Sequence, residues 1–367
     1  MNTKTMNKQS GFAVRRRFTS FRCQSLSPSL SSLTAAILCA VLGLGCVFST
    51  MKTYAQQLPS GDPKDFHIRP CLHSIGYAGV WRGQAQLTLD EFLVKAKELG
   101  FDSVMIMAKR PHLSPLDYDE AARKKLKARL AELGLTLAGL AGYSDFTAGI
   151  DKPGIPNVEI QAAYVGEVAR LARDLGCPMV RIFTGYERPG VPYDRQYAAV
   201  VEGLRLAGKE AAKYGVTLAV QNHHDIALHH DVMSWLLKEV NHPNVKSGWD
   251  AWSPTLEKLT PAEIRQSILT MKPFIVNTIA AQYRRHPRFH YVHELTNYER
   301  QEDALRATSM LDPKGVIDYK AFIGTLREIG YRGYLVYEMC EVLNGGGSIE
   351  NLDKTAKEFL KFAEQCK

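Results

Sequence analysis

The sequence lacks several patterns that would define a site by themselves. None of its seven cysteines forms a Cys-x-x-Cys pair, which excludes zinc-ribbon and thioredoxin-like motifs. No glycine-rich phosphate loop follows the first predicted strand, which counts against an open, doubly wound nucleotide-binding sheet. The apolar stretch at residues 33–47 is short for a membrane span, which needs roughly 20 residues.

The sequence also lacks a large excess of one charge sign, except at the start of the chain. The formal net charge is +8, but residues 1–60 hold seven Lys or Arg and no Asp or Glu. Subtracting these seven cations leaves +1 for the remainder. This balance does not favour a nucleic-acid or anionic-membrane partner.

The first residues resemble an export signal. A basic start, an apolar stretch and a small-residue site at Thr53-Tyr54-Ala55 predict a signal peptide over residues 1–55. Residues 15–18 resemble a twin-arginine signal and residues 43–46 faintly resemble a lipoprotein box, so the Sec and twin-arginine routes and lipoprotein anchoring all stay open. We predict a periplasmic protein without stable membrane contact once the leader is removed; the alternative is an uncleaved membrane anchor.

What the sequence does contain is a repeating alternation of short apolar runs and amphipathic stretches. The runs occupy residues 73–77, 103–107, 136–140, 179–183, 216–220, 245–249, 274–278 and 334–337. Near-continuous apolar strands alternating with helices indicate a parallel sheet covered on both faces. Eight units predict an α/β fold, a single (β/α)8 barrel over residues 70–367 after a linker at 56–69. An open sheet remains the alternative.

One connection is unusually long. Residues 282–313, between the seventh strand and its helix, are rich in Arg and aromatic side chains. Loops of this length often cover a functional site, so we predict an enlarged loop acting as a lid. The alternative is a solvated basic excursion.

Polar residues collect at the predicted strand ends, where the chemistry of such barrels is located. Candidate metal ligands follow strands five to eight: Gln221, Asp250, Gln282 and Glu338. Carboxylate, amide and imidazole donors suit one divalent ion such as Mn2+, Mg2+ or Zn2+. Candidate proton carriers are His223, His224 and Glu187. Candidate substrate-binding residues are His73, Lys109, Arg181, Trp252 and Arg284. Each residue could instead be a satisfied structural polar group.

Three segments carry a family resemblance: residues 215–223, Trp249-Asp250 and residues 330–338. Over roughly residues 70–366 the chain resembles the xylose isomerase-like barrel superfamily, which includes sugar phosphate isomerases and epimerases, inosose dehydratases and a type of DNA repair endonuclease. The resemblance implies a divalent metal held by Glu, Asp or Glu, His, and Glu or Asp on strands five to eight. Asp250 and Glu338 match this pattern.

Two positions depart from that pattern, since Gln221 replaces the strand-five Glu and strand seven has no His. Gln221 could still offer a metal an oxygen, but it cannot abstract a proton. A symmetric two-carboxylate epimerisation is therefore disfavoured, and we expect His223 or His224, titrating near its usual pKa, to carry the proton.

These observations predict an exported, metal-dependent carbohydrate isomerase or epimerase that abstracts a proton beside a carbonyl. The partner is a small-molecule carbohydrate, and a homo-oligomer remains open. The alternatives are a metal-assisted lyase or hydrolase of 3-keto-glycosides and a non-catalytic sugar-binding barrel. A DNA repair nuclease is disfavoured by the predicted export, the near-neutral charge and the small number of ligands.

Overall fold

The structure is a computed structural model, and it describes residues 57–224 and 226–367. The predicted leader at residues 1–55 lies outside the described residues, so export stays a prediction. Within the described part, no helix is both long and apolar enough to span a membrane.

Eight parallel strands close into a barrel. They are β1 (His67–His73), β2 (Ser103–Met107), β3 (Thr136–Ala141), β4 (Met179–Ile182), β5 (Thr217–Gln221), β6 (Val245–Asp250), β7 (Ile275–Ala280) and β10 (Arg332–Tyr337). Each strand pairs in parallel with its two neighbours, and β1 closes the ring between β2 and β10. The predicted (β/α)8 barrel is confirmed and the open sheet is wrong.

Helices surround this barrel. They are α1 (Leu89–Leu99), α2 (Glu120–Glu132), α3 (Asn157–Leu175), α4 (Tyr193–Ala212), α5 (His230–Val240), α6 (Trp252–Leu256), α7 (Pro261–Met271), α8 (Tyr319–Glu328) and α9 (Ile349–Gln365). Local sequence sets their ends, as α1 shows. Thr88 and Glu91 form a capping box at its start, and Gly100 ends it with a φ of 97° that favours glycine.

The first strand differs from its prediction. We expected it at residues 73–77, but β1 ends at His73, and residues Ser74–Tyr77 form a short 3-10 helix. Arg69 and Pro70 interrupt the apolar run and conceal the strand. Arg69 is accommodated because its Nη1 donates to the Tyr334 hydroxyl of β10 at 3.1 Å. The barrel therefore begins at residue 67 rather than 70, and His73 lies at a carboxyl strand end.

The long connection after β7 is a β-hairpin rather than an irregular loop. Strands β8 (Gln282–Val292) and β9 (Asn297–Thr308) pair antiparallel in a separate two-stranded sheet. The Gln282 side chain anchors its base: Oε1 accepts the backbone N–H groups of Tyr283 and Ile317 at 3.0 and 2.9 Å, and Nε2 donates to the Ile317 carbonyl. Its role as a lid stays a prediction.

Packing between the barrel and its last helix contributes to stability. Phe359 of α9 is fully buried, with its ring 5.0 Å from Tyr337 and 6.1 Å from Phe101 between centroids. We expect Phe359→Ala to lower the free energy of unfolding by about 3–5 kcal/mol, because it removes buried area and leaves a cavity. Chemical denaturation measures this. Trp235→Ala, at a 60% exposed position on α5, is the control and should change little. Equal losses in both variants would contradict the assigned core.

Candidate functional site

A small cavity lies at the carboxyl ends of the barrel strands. It is lined by Gln221, His223, Asp250, Trp252, Ile279, Ala281, Tyr283, Glu338 and Cys340. Its accessible volume is about 10 Å³, which is space for one water or one ion. The structure thus brings three of the four predicted metal ligands together, with His223 and Trp252 beside them.

Asp250 is held in place by its neighbours. The backbone N–H groups of Trp252 and Ser253 donate to Oδ1 at 3.0 and 3.1 Å, and Gln221 Nε2 donates to Oδ2 at 2.8 Å. Burial raises the pKa of Asp250 to about 6, although these hydrogen bonds oppose the shift. Because Oδ1 is occupied by backbone donors, Oδ2 is the atom that remains beside the Gln221 amide and His223.

Glu338 is held by a buried ion pair. Arg181 Nη2 on β4 donates to Glu338 Oε1 at 2.9 Å, and both side chains are buried. Burial raises the pKa of Glu338, while Arg181 and Lys109 oppose the rise. Oε1 therefore faces Arg181, whereas Oε2 is buried with no hydrogen-bond partner among the described residues.

His73 is oriented by two neighbours. Its Nδ1 accepts the backbone N–H of Ile75 at 3.0 Å, and its Nε2 lies 3.3 Å from Arg181 Nη2. Nε2 lies 3.7 Å from Glu338 Oε1, the atom that also receives Arg181. Burial and then Arg181 hold the pKa of His73 well below its usual value. His73 is thus a neutral neighbour of Glu338.

Several buried polar atoms without partners belong to residues that line the cavity. Among the described residues, Gln221 Oε1, Glu338 Oε2 and His223 Nδ1 have no hydrogen-bond partner. Asp250 Oδ2 lies 3.9 Å from His223 Nδ1. Unsatisfied buried acceptors are rare and indicate a water or ion. Amide, carboxylate and imidazole donors suit a divalent cation, so by their chemistry these residues could hold the metal that the resemblance implies. Among the described residues, however, the ligand atoms of His223, Asp250 and Glu338 do not all lie within 4.8 Å of one another.

His223 does not match the expectation of a ring titrating near neutral pH. Burial, followed by His224 and Arg181, lowers the pKa of His223 to about 3. Its ring lies 4.5 Å from Trp252 and 5.6 Å from Phe183 between centroids. His223 is therefore a neutral imidazole, able to accept or ligate through Nδ1 but unsuited to holding a proton at neutral pH.

Aromatic rings pack around His223, which lines the cavity. The His224 ring stacks at 4.1 Å on Phe183 and at 4.1 Å on Tyr186, between centroids. On the other side of the cavity, Trp252 stacks on Tyr283 at 5.0 Å. The walls therefore offer flat apolar faces next to a small polar centre, an arrangement common to small-molecule sites.

Cationic groups flank the cavity on the β2 and β4 side. Lys109 Nζ lies 3.7 Å from the centroid of the Tyr143 ring, and burial and then Arg181 lower the pKa of this lysine. The Arg181 guanidinium lies 4.2 Å from the Phe183 ring centroid. Lys109, Arg181 and His73, all predicted substrate-binding residues, are thus close to Glu338, but Arg181 is fully buried and already paired.

Seven of the twelve predicted site residues lie outside the cavity lining; His73, Lys109, Arg181 and His224 are described above, and the other three are Gln282, Glu187 and Arg284. Both lone pairs of the Gln282 amide oxygen receive backbone N–H groups, so its role here is to anchor the hairpin. Glu187 is exposed after β4. Arg284 Nη1 lies 3.8 Å from Asp312 Oδ2 on the hairpin side. We therefore leave these three out of the site proposed below.

Four residues at or near the cavity were not predicted from the sequence: Cys340, Tyr283, Tyr143 and Phe183. Cys340 follows Glu338 by two residues, but both lie past the end of β10 at Tyr337, so strand alternation gave no signal for it. The three aromatic residues gave no such signal, because aromatic residues at strand ends are common in barrel cores.

A second group of ligand atoms lies at the start of α5. Atoms of His229, His230 and Asp231 are within 4.8 Å of one another. His229 Nδ1 accepts the Asp231 backbone N–H at 3.2 Å, which is a helix-capping contact. The partial positive charge of a helix N-terminus favours Asp231 and disfavours a cation. Helix initiation therefore accounts for this group.

Comparison with known proteins identifies the family of the chain. The sequence model of the xylose isomerase-like TIM barrel family matches residues 93–366. The chain belongs to this family. No curated protein matches the chain.

Solved structures share the fold. A xylose isomerase domain protein from Alicyclobacillus acidocaldarius has 18% identity and a TM-score of 0.60, covering 82% of this chain and 99% of that one. D-psicose 3-epimerase from Clostridium cellulolyticum H10, solved with D-tagatose, has 17% identity and a TM-score of 0.60 with the same coverage. The probable 3-DHS dehydratase of petrobactin synthesis from Bacillus anthracis has 16% identity and a TM-score of 0.59, covering 81% and 99%. At such identity these likenesses show the fold alone.

The buried ion pair generates a prediction. Arg181→Met leaves the Glu338 carboxylate buried and unpaired, so we expect it to cost about 3–5 kcal/mol of unfolding free energy. Adding Glu338→Gln removes the uncompensated charge and should restore part of that loss. Urea denaturation of the two single variants and the double variant, in a chelator, measures this coupling. If the two losses of unfolding free energy simply add in the double variant, Arg181 and Glu338 are not coupled as an ion pair.

Proposed function

We propose that this protein is an enzyme that isomerises or epimerises a small carbohydrate by proton transfer at a carbon beside a carbonyl, using one divalent ion at the barrel mouth. One observation carries the proposal. Asp250 Oδ2 and the unpartnered atoms Gln221 Oε1, Glu338 Oε2 and His223 Nδ1 belong to residues lining a single ion-sized cavity. Family membership and the named sugar epimerases of the same fold support it.

The proposed division of roles follows from the contacts. Gln221, His223, Asp250 and Glu338 would hold the ion, with Mn2+, Mg2+ and Zn2+ all compatible with oxygen and imidazole donors. When bound, such an ion stabilises negative charge that develops on a carbonyl oxygen. Arg181 orients Glu338 so that Oε2 stays on the cavity side, and Trp252 offers an apolar face to a sugar ring.

We assign the proton transfer to His224. Gln221 cannot take a proton, and His223 is buried with Nδ1 beside Asp250. His224 is next in the chain, half-buried, and its ring lies 5.4 Å from that of His223 between centroids. General-base residues must lie within reach of the reacting carbon, and His224 neighbours His223, which lines the cavity.

A lyase acting on a 3-keto-glycoside is the second candidate function. The neutral amide of Gln221 on one side of the cavity favours it, because elimination needs one base rather than two opposed carboxylates.

Export to the periplasm, where glycosides are available, is part of both proposals. Fractionation of cells expressing the full chain tests it, and protein retained in the cytoplasm with residues 1–55 intact would contradict it.

The metal site is tested by removing one carboxylate at a time. We expect purified protein to hold about one divalent ion per chain by elemental analysis, because the cavity offers one set of ligands. Asp250→Asn should lose the ion without unfolding, because its oxygen still accepts the backbone N–H groups. Asp231→Asn, at the start of α5, is the control and should keep it. If Asp250→Asn kept the ion and Asp231→Asn lost it, the ion would belong to the His229–His230–Asp231 group.

The proton carrier is tested with an isosteric ring. His224→Phe keeps an aromatic side chain between Phe183 and Tyr186 but cannot carry a proton, so turnover should fall on the order of 10²-fold or more. Hydrogen exchange with D2O into ketoses and 3-keto-glycosides, followed by NMR, measures the reaction. Metal content serves as the control and should match the wild type. Unchanged turnover in His224→Phe would remove this residue from the mechanism.

A further inference from the structure

The loop that follows β4 encloses the ring of His224. This ring lies between Phe183 and Tyr186, with its centroid 4.1 Å from that of each neighbour. Phe183 is buried at the end of β4, whereas Tyr186 is 46% exposed. An exposed ring is not held by packing on every side, so the position of Tyr186 depends on what holds the backbone of its loop.

Both ends of this loop are anchored. At its start, Thr184 Oγ1 donates to the Ile226 carbonyl at 2.6 Å, and the Ile226 backbone N–H donates to the Gly185 carbonyl at 3.3 Å. At its end, the buried side chain of Gln196 on α4 accepts the Arg188 backbone N–H at 2.7 Å and donates to the Arg188 carbonyl at 3.2 Å. Tyr186 lies between these two anchors.

The middle of the loop is held by Asp145, which follows β3. Thr147 Oγ1 lies 2.6 Å from the Tyr186 carbonyl oxygen and 2.8 Å from Asp145 Oδ1, which also accepts the Thr147 backbone N–H at 3.2 Å. Asp145 Oδ2 accepts a hydrogen bond from Arg188 Nη2. The Arg188 guanidinium in turn lies 5.8 Å from the Tyr186 ring centroid, within range of cation–π attraction. The carboxylate of Asp145 thus joins both routes to Tyr186.

Gly185 permits this close approach of the two loops. Its φ of 151° lies in a region that favours glycine. A Cβ at this position would lie 2.7 Å from Thr147 Oγ1 and 2.9 Å from Asp145 Oδ1. The backbone next to Tyr186 therefore packs directly against the Asp145 cluster, where a larger side chain would separate them.

We propose that Asp145 is a positioning residue, which fixes the loop after β4 so that Tyr186 stays stacked on His224 and holds the imidazole in one orientation. The proposal rests on the assignment of the proton transfer to His224. Asp145 is not among the residues that line the cavity, so it acts through Thr147, Arg188 and Tyr186 rather than on the substrate. A proton carrier must be held near its productive geometry, since a misplacement of about 1 Å can cost roughly 10²-fold in rate.

The orientation of the His224 ring is measured by NMR without any substrate. In protein with 13C-labelled histidine, the Cε1–H signal of His224 is identified by its loss in His224→Phe. Protons over the face of an aromatic ring are shielded, so Tyr186→Leu should move this signal downfield. Asp145→Ala and Arg188→Met should move it in the same direction, although both variants retain Tyr186.

A matched control removes an ion pair elsewhere. Glu328 on α8 accepts a hydrogen bond from Arg265 Nε at 2.8 Å, and both side chains are about half exposed. Glu328→Ala should leave the His224 signal unchanged. Circular dichroism checks folding, and Arg188→Met keeps the test available if Asp145→Ala does not fold. A His224 signal that is unchanged in the folded Asp145 and Arg188 variants overturns the proposal.

Turnover separates this proposal from the function on which it rests. Asp145→Ala should lower kcat by about 10-fold or more and leave KM nearly unchanged, because Asp145 orients the proton carrier without binding the substrate. Glu328→Ala should keep both constants. A downfield shift with an unchanged kcat supports the positioning of the ring and shows instead that His224 does not carry the proton. A raised KM with an unchanged kcat and an unshifted signal gives Asp145 a role in substrate binding and overturns the proposal.

Discussion

The ion pair between Arg181 and Glu338 is the interaction on which the mouth of this barrel depends. It joins β4 to the end of β10 through the barrel interior, where neither side chain reaches water. Each buried charge would be costly without the other. By holding Oε1 of Glu338, Arg181 leaves Oε2 without a hydrogen-bond partner among the described residues, and the neutral ring of His73 lies beside Oε1. The geometry of the proposed ion site follows from that orientation.

The charge of the mouth differs from that implied by the family resemblance. Gln221 replaces a carboxylate, and Lys109 and Arg181 lie near Glu338, so the acidic groups are partly compensated. Strand seven contributes no imidazole to the cavity, whereas His223, just past β5, does. The donor set is thus asymmetric around the barrel, and this asymmetry favours chemistry in which one base acts from one side of the substrate.

Most of the fold could be predicted because buried parallel strands appear as apolar runs. β2 to β7 fell within two residues of their predicted positions, whereas β1 was concealed by Arg69 and Pro70. The hairpin was predicted as a loop, because its exposed strands lack the apolar alternation of a strand with a buried face. At the site, Gln221, Asp250 and Glu338 were found together because the carboxyl ends of barrel strands converge. Gln282 does not line the cavity, because its amide oxygen accepts two backbone N–H groups at the base of the hairpin.

The sequence by itself determined the alternation of strands and helices, the barrel, and the kinds of donor atom that stand at the strand ends, because these depend on local pattern and chain order. Only the tertiary structure decided which atoms are already satisfied. The low pKa of His223 and the unpartnered oxygens of Gln221 and Glu338 depend on how segments distant in sequence bury these side chains. Hydrogen bonding and desolvation act through space, so no pattern along the chain could have specified them.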